Sequence, residues 1–152
     1  MPTEIEAQLS ESGTIVEGEF RSRFVVPPDA VDVLGHVNNT EYVRWIQDAA
    51  LAHSNLVGFT WEACQQIGGA FVVRRQTIDY LREVVQGQLL EVRTRVEQST
   101  PMSALRQTEL RNEAGELVLT AQTVWVFMSL ETRRPLRIPP EVKAFFTMPA
   151  GR

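Results

Sequence analysis

The sequence predicts an α+β domain in which one long central helix is wrapped by an antiparallel sheet of five to six strands. Three observations carry this. Residues 14–26 alternate with period two, residues 42–53 place apolar side chains at helical spacing, and four further strand patterns follow across short, turn-rich breaks. One helix against one twisted sheet is the economical way to bury an apolar face of each. A chain of 152 residues makes a single domain over 1–152, with a polar N-terminal segment at 1–13 and a C-terminal tail at 131–152.

The first strand reads as one element over 14–26. Val16, Phe20, Phe24 and Val26 share one face, and Glu17, Glu19, Arg21 and Arg23 mostly take the other. Pro27 and Pro28 end it, because proline cannot donate to a strand ladder. The period then changes. Tyr42, Trp45, Ile46, Ala49, Ala50 and His53 fall at i, i+3, i+4, i+7, i+8 and i+11, a wide apolar helical stripe, and Glu41, Arg44, Gln47 and Asp48 fall on the opposite side. Asn38 or Asn39 is the natural N-cap and Gly58 a plausible stop. Residues 60–67 suggest a short second helix, closed by Gly68 and Gly69.

Four strands are expected at 70–81, 88–98, 102–112 and 116–130. Their breaks hold Gly87, then Ser99-Thr100-Pro101, then Asn112-Glu113-Ala114-Gly115, and such short connections force neighbours to run antiparallel. The last strand is apolar on both faces, with Val118, Val124 and Val126 against Leu119, Ala121, Trp125 and Phe127. It should be central and covered on both sides, at least along its second half.

Composition narrows the function classes. A net charge of -4 argues against generic nucleic-acid binding. The single cysteine, Cys64, excludes an intramolecular disulfide and fits a reducing compartment. The first residues lack the basic and apolar regions of a signal peptide, and no apolar run approaches the roughly 18–20 residues that span a bilayer, so a cytoplasmic protein without membrane partners is expected. Two histidines and scattered acids give no metal-ligand spacing, and no glycine-rich loop follows a strand, so neither metal nor cofactor is expected. Of the 15 basic residues only Lys143 is a lysine, an excess of arginine that base composition explains most simply.

The run from Asp32 to Tyr42 (Asp-Val-Leu-Gly-His-Val-Asn-Asn-Thr-Glu-Tyr) carries the chemistry. It sets a carboxylate and an imidazole four residues apart, just before the start of a helix. Chemistry on a polarised carbonyl needs a nucleophile or base on one side and donors aimed at its oxygen. One carboxylate and the free N–H groups of a helix N-terminus are sufficient in principle. The plainer alternative is that Asp32, Gly35 and Asn38 only shape a loop and cap a helix. His53, on the apolar stripe, reads as a core or interface histidine. Cys64 has nothing nearby in sequence to activate it.

With the Asp32-x-x-Gly35 turn, Val37, Asn38-Asn39 and Tyr42, the chain resembles the hotdog-fold thioesterases, specifically the 4-hydroxybenzoyl-CoA and short acyl-CoA thioesterase group. Ile78-Asp79-Tyr80 leading through Gly87 into Leu89-Leu90-Glu91-Val92, and the stretch from Thr132 to Pro139, add to the likeness, which spans 20–139 in consistent order. The resemblance implies that Asp32 is the nucleophile or the base that activates water, and that the backbone N–H of Asn39 polarises the carbonyl. Gly35, Asn38 and Tyr42 would contact substrate. His36 would orient substrate or water, with proton transfer open to it. A similar His-Val-Asn-Asn run occurs in plant acyl-carrier-protein thioesterases with an asparagine two residues before the histidine, where this chain has Leu34.

The implied substrate is an acyl-CoA, and the implied assembly a homodimer or homotetramer with strands joined across an edge and the acyl site between subunits. Arg74, Arg133 and Arg134 are candidates to grip coenzyme A phosphates, as are Arg75, Arg82 and Arg137, although charge on late loops is commonly a solvated face. Two other functions fit such an architecture. One is a hotdog enoyl-thioester hydratase or dehydratase, whose Asp/His pair is spaced differently and lacks the paired asparagines. The other is a non-catalytic acyl-CoA-binding module; in its regulatory form it would need a DNA-binding domain for which the residues before the first strand leave no room.

Overall fold

A computed structural model describes residues 3–149. Its elements are α1 (Glu4–Ser12), β1 (Thr14–Val16), β2 (Glu19–Val25), α2 (Asn39–Val57), α3 (Trp61–Ile67), β3 (Gly69–Tyr80), β4 (Leu89–Thr100), β5 (Ser103–Arg111), β6 (Leu117–Ser129) and α4 (Pro140–Phe145), with a single 3-10 turn at Pro28–Ala30. One antiparallel sheet runs in the order β1-β2-β4-β5-β6-β3. The α+β class, the long helix and the last four strands follow the sequence expectation.

α2 starts and stops where its residues require. The Asn38 side chain accepts from the Thr40 N–H at 3.0 Å, and Gly58 ends the helix at φ 96°, a left-handed conformation in which a side chain would be strained. Tyr42, Trp45, Ile46, Ala49 and His53 are buried along it, with Phe20, Phe24, Leu90, Leu110 and Leu119 of the sheet in the same core. Burying each large side chain contributes about 1.5–3 kcal/mol. A second core forms at the other end, where α4 and the end of the chain bring Val142 and Phe146 onto Phe59, Cys64, Val96 and Phe127.

Four local readings are corrected. The strand expected over 14–26 is a hairpin: Glu17 and Gly18, at φ 50° and 80°, form a two-residue turn, so Val16 pairs with Glu19 and is left exposed. Positive φ at both turn residues matches the twist of the flanking strands. The segment at 1–13, read only as polar, holds α1. Thr3 caps it, accepting from the Glu6 N–H at 3.0 Å, and it buries Ile5 and Leu9, a stripe too narrow to register as a helical period. Asp48 is therefore buried rather than on a solvent face, because Thr3 comes down on it and donates Oγ1 to its Oδ2 at 3.0 Å. Finally, β6 is interior to the sheet, but its coverage runs opposite to expectation. Val118 and Leu119 in its first half are both buried, whereas Val124, Trp125 and Val126 in its second half are only partly so.

His53 is a core residue. It stacks on Phe20 with ring centroids 5.4 Å apart and meets Phe146 edge-on at 5.2 Å. Arg106 donates Nη1 to its Nδ1 at 2.9 Å. Burial first, and the guanidinium second, hold the imidazole down to about 3.

Two outcomes follow from this packing. Leu9→Ala should cost about 2–4 kcal/mol in urea unfolding, since it empties the contact by which α1 docks. His53 stays neutral in the folded chain but titrates near its ordinary 6.5 once unfolded. The unfolded state therefore takes up a proton that the folded state refuses. This contribution is fully present above that pH and is lost as pH falls from there toward 3. Unfolding free energies measured across this window should decline in acid, and His53→Asn should flatten that part of the slope.

Candidate active site

The loop between β2 and α2 is held by its own backbone. Val31 and Val37 form an isolated antiparallel bridge, the Asp32 N–H donates to the His36 carbonyl at 2.8 Å, and the Gly35 N–H donates to the Asp32 carbonyl at 3.0 Å. Gly35 stands at φ 82°, which explains glycine at that turn. The Asn38 N–H donates to the Ala30 carbonyl at 2.9 Å, and Val37 is buried with its N–H toward the Val84 carbonyl at 3.4 Å. The loop is thus fastened on one side to the turn after β2 and on the other to the segment after β3.

This fastening fixes the Asp32 carboxylate. Its Oδ1 accepts from the N–H of Leu34 at 2.9 Å and of His36 at 3.3 Å, while Oδ2 accepts no hydrogen bond among the described residues. One oxygen is spent on holding the group in place and the other is left available. Two residues past the turn, Asn38 turns its side chain to the helix, accepting from both the N–H and the hydroxyl of Thr40 at 3.0 Å. Asn39 is the first helical residue, and its N–H meets no acceptor among the described residues. The paired asparagines divide the work: one caps, the other presents an open donor at the positive end of the helix.

Asp32, His36, Asn38, Asn39 and Tyr42 line one open cavity of about 520 Å³. The end of β3 and the residues after it complete it, chiefly Tyr80, Arg82 and Glu83. His36 Nδ1 lies 2.7 Å from Glu83 Oε1, with both side chains about half exposed. A carboxylate can only accept, so Nδ1 is the ring nitrogen placed to pair with Glu83, and Nε2 is left without a partner among the described residues. Tyr42 packs edge-on to Trp45 and Tyr80 at 5.1 and 5.3 Å, and burial, then Tyr80 and Glu83, push its phenol up to about 12. It is a neutral wall and donor at working pH.

The remaining expected residues fall elsewhere. Gly35 shapes the turn but does not line the cavity. Arg74 sits exposed at the β3 bulge between Val73 and Arg75. Arg133, at φ 63°, and Arg134 are exposed in the turn after β6, beside the Gly69 end of β3. The cavity is at the Tyr80 end, about 35 Å along that strand. Arg82 does line the cavity and is paired with Glu116 at 2.8 Å. Glu83 escaped the sequence reading. It is 47 residues from His36 and no local spacing joins the two. Only the register that brings the end of β3 beside the α2 N-terminus does so.

Comparison with known proteins identifies the family. The model of the thioesterase-like superfamily matches residues 26–146. The long-chain acyl-CoA thioesterase FadM of Escherichia coli is 30% identical over 115 residues, covering 74% of this chain and 86% of that protein. A Lactobacillus plantarum structure assigned as an oleoyl thioesterase superposes with a TM-score of 0.82 at 25% identity, covering 88% of this chain; the chain spans about half of that protein, 52%. The 1,4-dihydroxy-2-naphthoyl-CoA thioesterase of Synechocystis superposes with a TM-score of 0.77 at 18% identity over 85% of this chain and 96% of its own, a likeness of fold. With a helix wrapped by one antiparallel sheet and the family match running from the end of β2 through α4, the chain belongs to the thioesterase-like superfamily, in its hotdog fold.

Proposed function

We propose that the protein hydrolyses acyl-CoA thioesters, with Asp32 as the carboxylate that activates water or attacks the carbonyl, and the Asn39 N–H as the donor to the carbonyl oxygen. One observation carries this reading: a carboxylate with one oxygen unengaged and an outward amide at a helix N-terminus open into the same cavity. In the general-base form, the water oxygen bonds to the acyl carbon as Asp32 takes its proton. The carbon–sulfur bond then breaks and coenzyme A leaves as thiolate, to be protonated. In the nucleophilic form an Asp32 oxygen makes the first bond, and water cleaves the resulting anhydride. Both need the carboxylate ionised. His36, held by Glu83, positions the water or substrate through Nε2. The coenzyme A portion is inferred from the relative named an acyl-CoA thioesterase.

The proposed assembly is a dimer through β3. That strand is 12 residues long and has a neighbour, β6, on one side only, whereas the other sheet edge is the 3-residue β1. A long open edge invites pairing with a second copy. Antiparallel pairing of two β3 strands would set the Gly69 end of one beside the Tyr80 end of the other. The Arg133–Arg134 turn of one subunit would then approach the Asp32 cavity of its neighbour, where guanidinium groups suit coenzyme A phosphates.

Asp32→Asn should lower kcat by on the order of 10² or more while leaving the fold intact, because the backbone donors remain. Thiol release from a panel of acyl-CoAs checks this, and near-normal turnover by the variant would sink the assignment. Sedimentation of the native protein should give a dimer or a multiple of one; a monomer at working concentration would rule out the β3 pairing.

A further inference from the structure

A second cavity, of about 190 Å³, lies between α2, α3 and the sheet, and no residue lining it lines the Asp32 cavity. Its walls are mostly apolar, with Phe59, Phe71, Val96 and Phe146 among them, yet Arg106 and Trp125 also line it. The two are diagonal neighbours on the helix-facing side of the sheet, since Ala104 pairs with Trp125 and Arg106 with Thr123. Exposed Gln47 and Leu51 of α2 are on the rim, so the cavity opens beside that helix.

Arg106 is 4% exposed, and no carboxylate pairs with it among the described residues. It donates Nη1 to His53 Nδ1 at 2.9 Å and to Thr94 Oγ1 at 3.0 Å, and its guanidinium lies 6.0 Å from the centre of the Phe146 ring. These contacts are with neutral groups. Burial lowers the guanidinium to about 9, which still leaves it charged at neutral pH, and burial raises the Cys64 thiol in the same wall, so that thiol supplies no counter-charge. A buried cation without a partner is costly.

The unsatisfied atoms share one hydrogen-bonding character. Arg106 Nε, Trp125 Nε1 and His53 Nε2 are buried without a hydrogen-bond partner. A guanidinium only donates, so His53 Nδ1 is the acceptor and its proton sits on Nε2. All three orphans are therefore donors. The region has an excess of donors, one positive charge and apolar walls, and it lacks an acceptor and a negative charge. His53 does not line the cavity; it steers Arg106 toward it.

We propose that this cavity receives the far end of the acyl group and selects acyl thioesters that end in a carboxylate, bound by Arg106 with Trp125 as a second donor. The assignment rests on the hydrolase reading above. Gln47 and Leu51 lie about 12–18 Å along α2 from Asn39, so the group reaching from the reacting carbonyl to Arg106 is of medium to long chain. A plain acyl chain would fill the walls and leave the donors and the charge unanswered. An ω-carboxyacyl chain answers both, by a charge-assisted hydrogen bond in a dry setting.

The test compares thiol release from octanedioyl-, decanedioyl- and dodecanedioyl-CoA with release from octanoyl-, decanoyl- and dodecanoyl-CoA. The wild type should favour the carboxylated member by about tenfold or more in kcat/KM at its best length. Arg106→Met should abolish or reverse that preference while still cleaving the plain member, and Trp125→Phe, which removes one N–H and keeps the ring, should narrow it. The Trp125 variant alone decides the matter should the Arg106 variant fail to fold. Equal or better turnover of the plain member at every length, or a preference that survives both substitutions, would overturn the proposal. If no thioester releases thiol, the hydrolase reading falls by itself. Calorimetry with free dodecanedioate against dodecanoate then decides the cavity: tighter, Arg106-dependent binding of the diacid upholds it as a carboxylate site, and equal binding overturns it.

Discussion

Trp45, Ile46 and Ala49 are sealed between α2 and the sheet, and the position of that helix governs everything that has chemistry in this chain. A helix held along one face cannot slide without emptying a packed core, so its N-terminus is fixed relative to the end of β3. The Asp32 loop hangs between these two points. Its carboxylate is held by local backbone N–H groups, and its neighbour in space, the Asn39 amide, is held by the helix. Neither depends on long side chains finding one another. In the proposed reaction, a site built from main-chain geometry would lose little freedom when substrate arrives, which is what pre-organised stabilisation of an oxyanion requires.

The same arrangement separates the cap from the open amide. A single N-cap satisfies one end of the helix but turns its side chain inward, toward Thr40. The open amide belongs to the next residue, whose side chain is not needed for capping. Glu83 does for His36 what the backbone does for Asp32: it takes up one ring nitrogen and leaves the other free.

Features written in local periodicity were legible in the sequence. The Tyr42–His53 stripe gave the long helix, and the turn residues at Gly87, 99–101 and 112–115 gave the last four strands to within a residue or two of their ends. Asp32, His36, Asn38, Asn39 and Tyr42 were legible as a group because they lie within eleven residues of one another, and the cavity gathers all five. Pairings between distant segments were not legible. Glu83 meets His36 only through the sheet register, and Asp48 is buried only because Thr3 caps a helix with two large apolar residues in nine. The hairpin at Glu17-Gly18 was hidden for another reason: it is so short that alternation persists across it, and only the positive φ values break the strand.

Arg106 shows most clearly what pattern cannot convey. In sequence it is one arginine among many on an alternating strand, where charge usually faces water. In the fold it sits on the inner face of β5, with His53 as acceptor and Phe146 beside its guanidinium. His53, read from its stripe as a core residue, is one; its function in the core is to accept from a cation. Burial without a counter-charge is destabilising in the free protein, and the cost is relieved only when an anion enters. A ligand that carries a negative charge would therefore offset that cost on binding. Apolar walls alone would select by length; a charge held at the far end makes the identity of the terminal group part of recognition, because a mismatched chain leaves polar groups buried and unpaired.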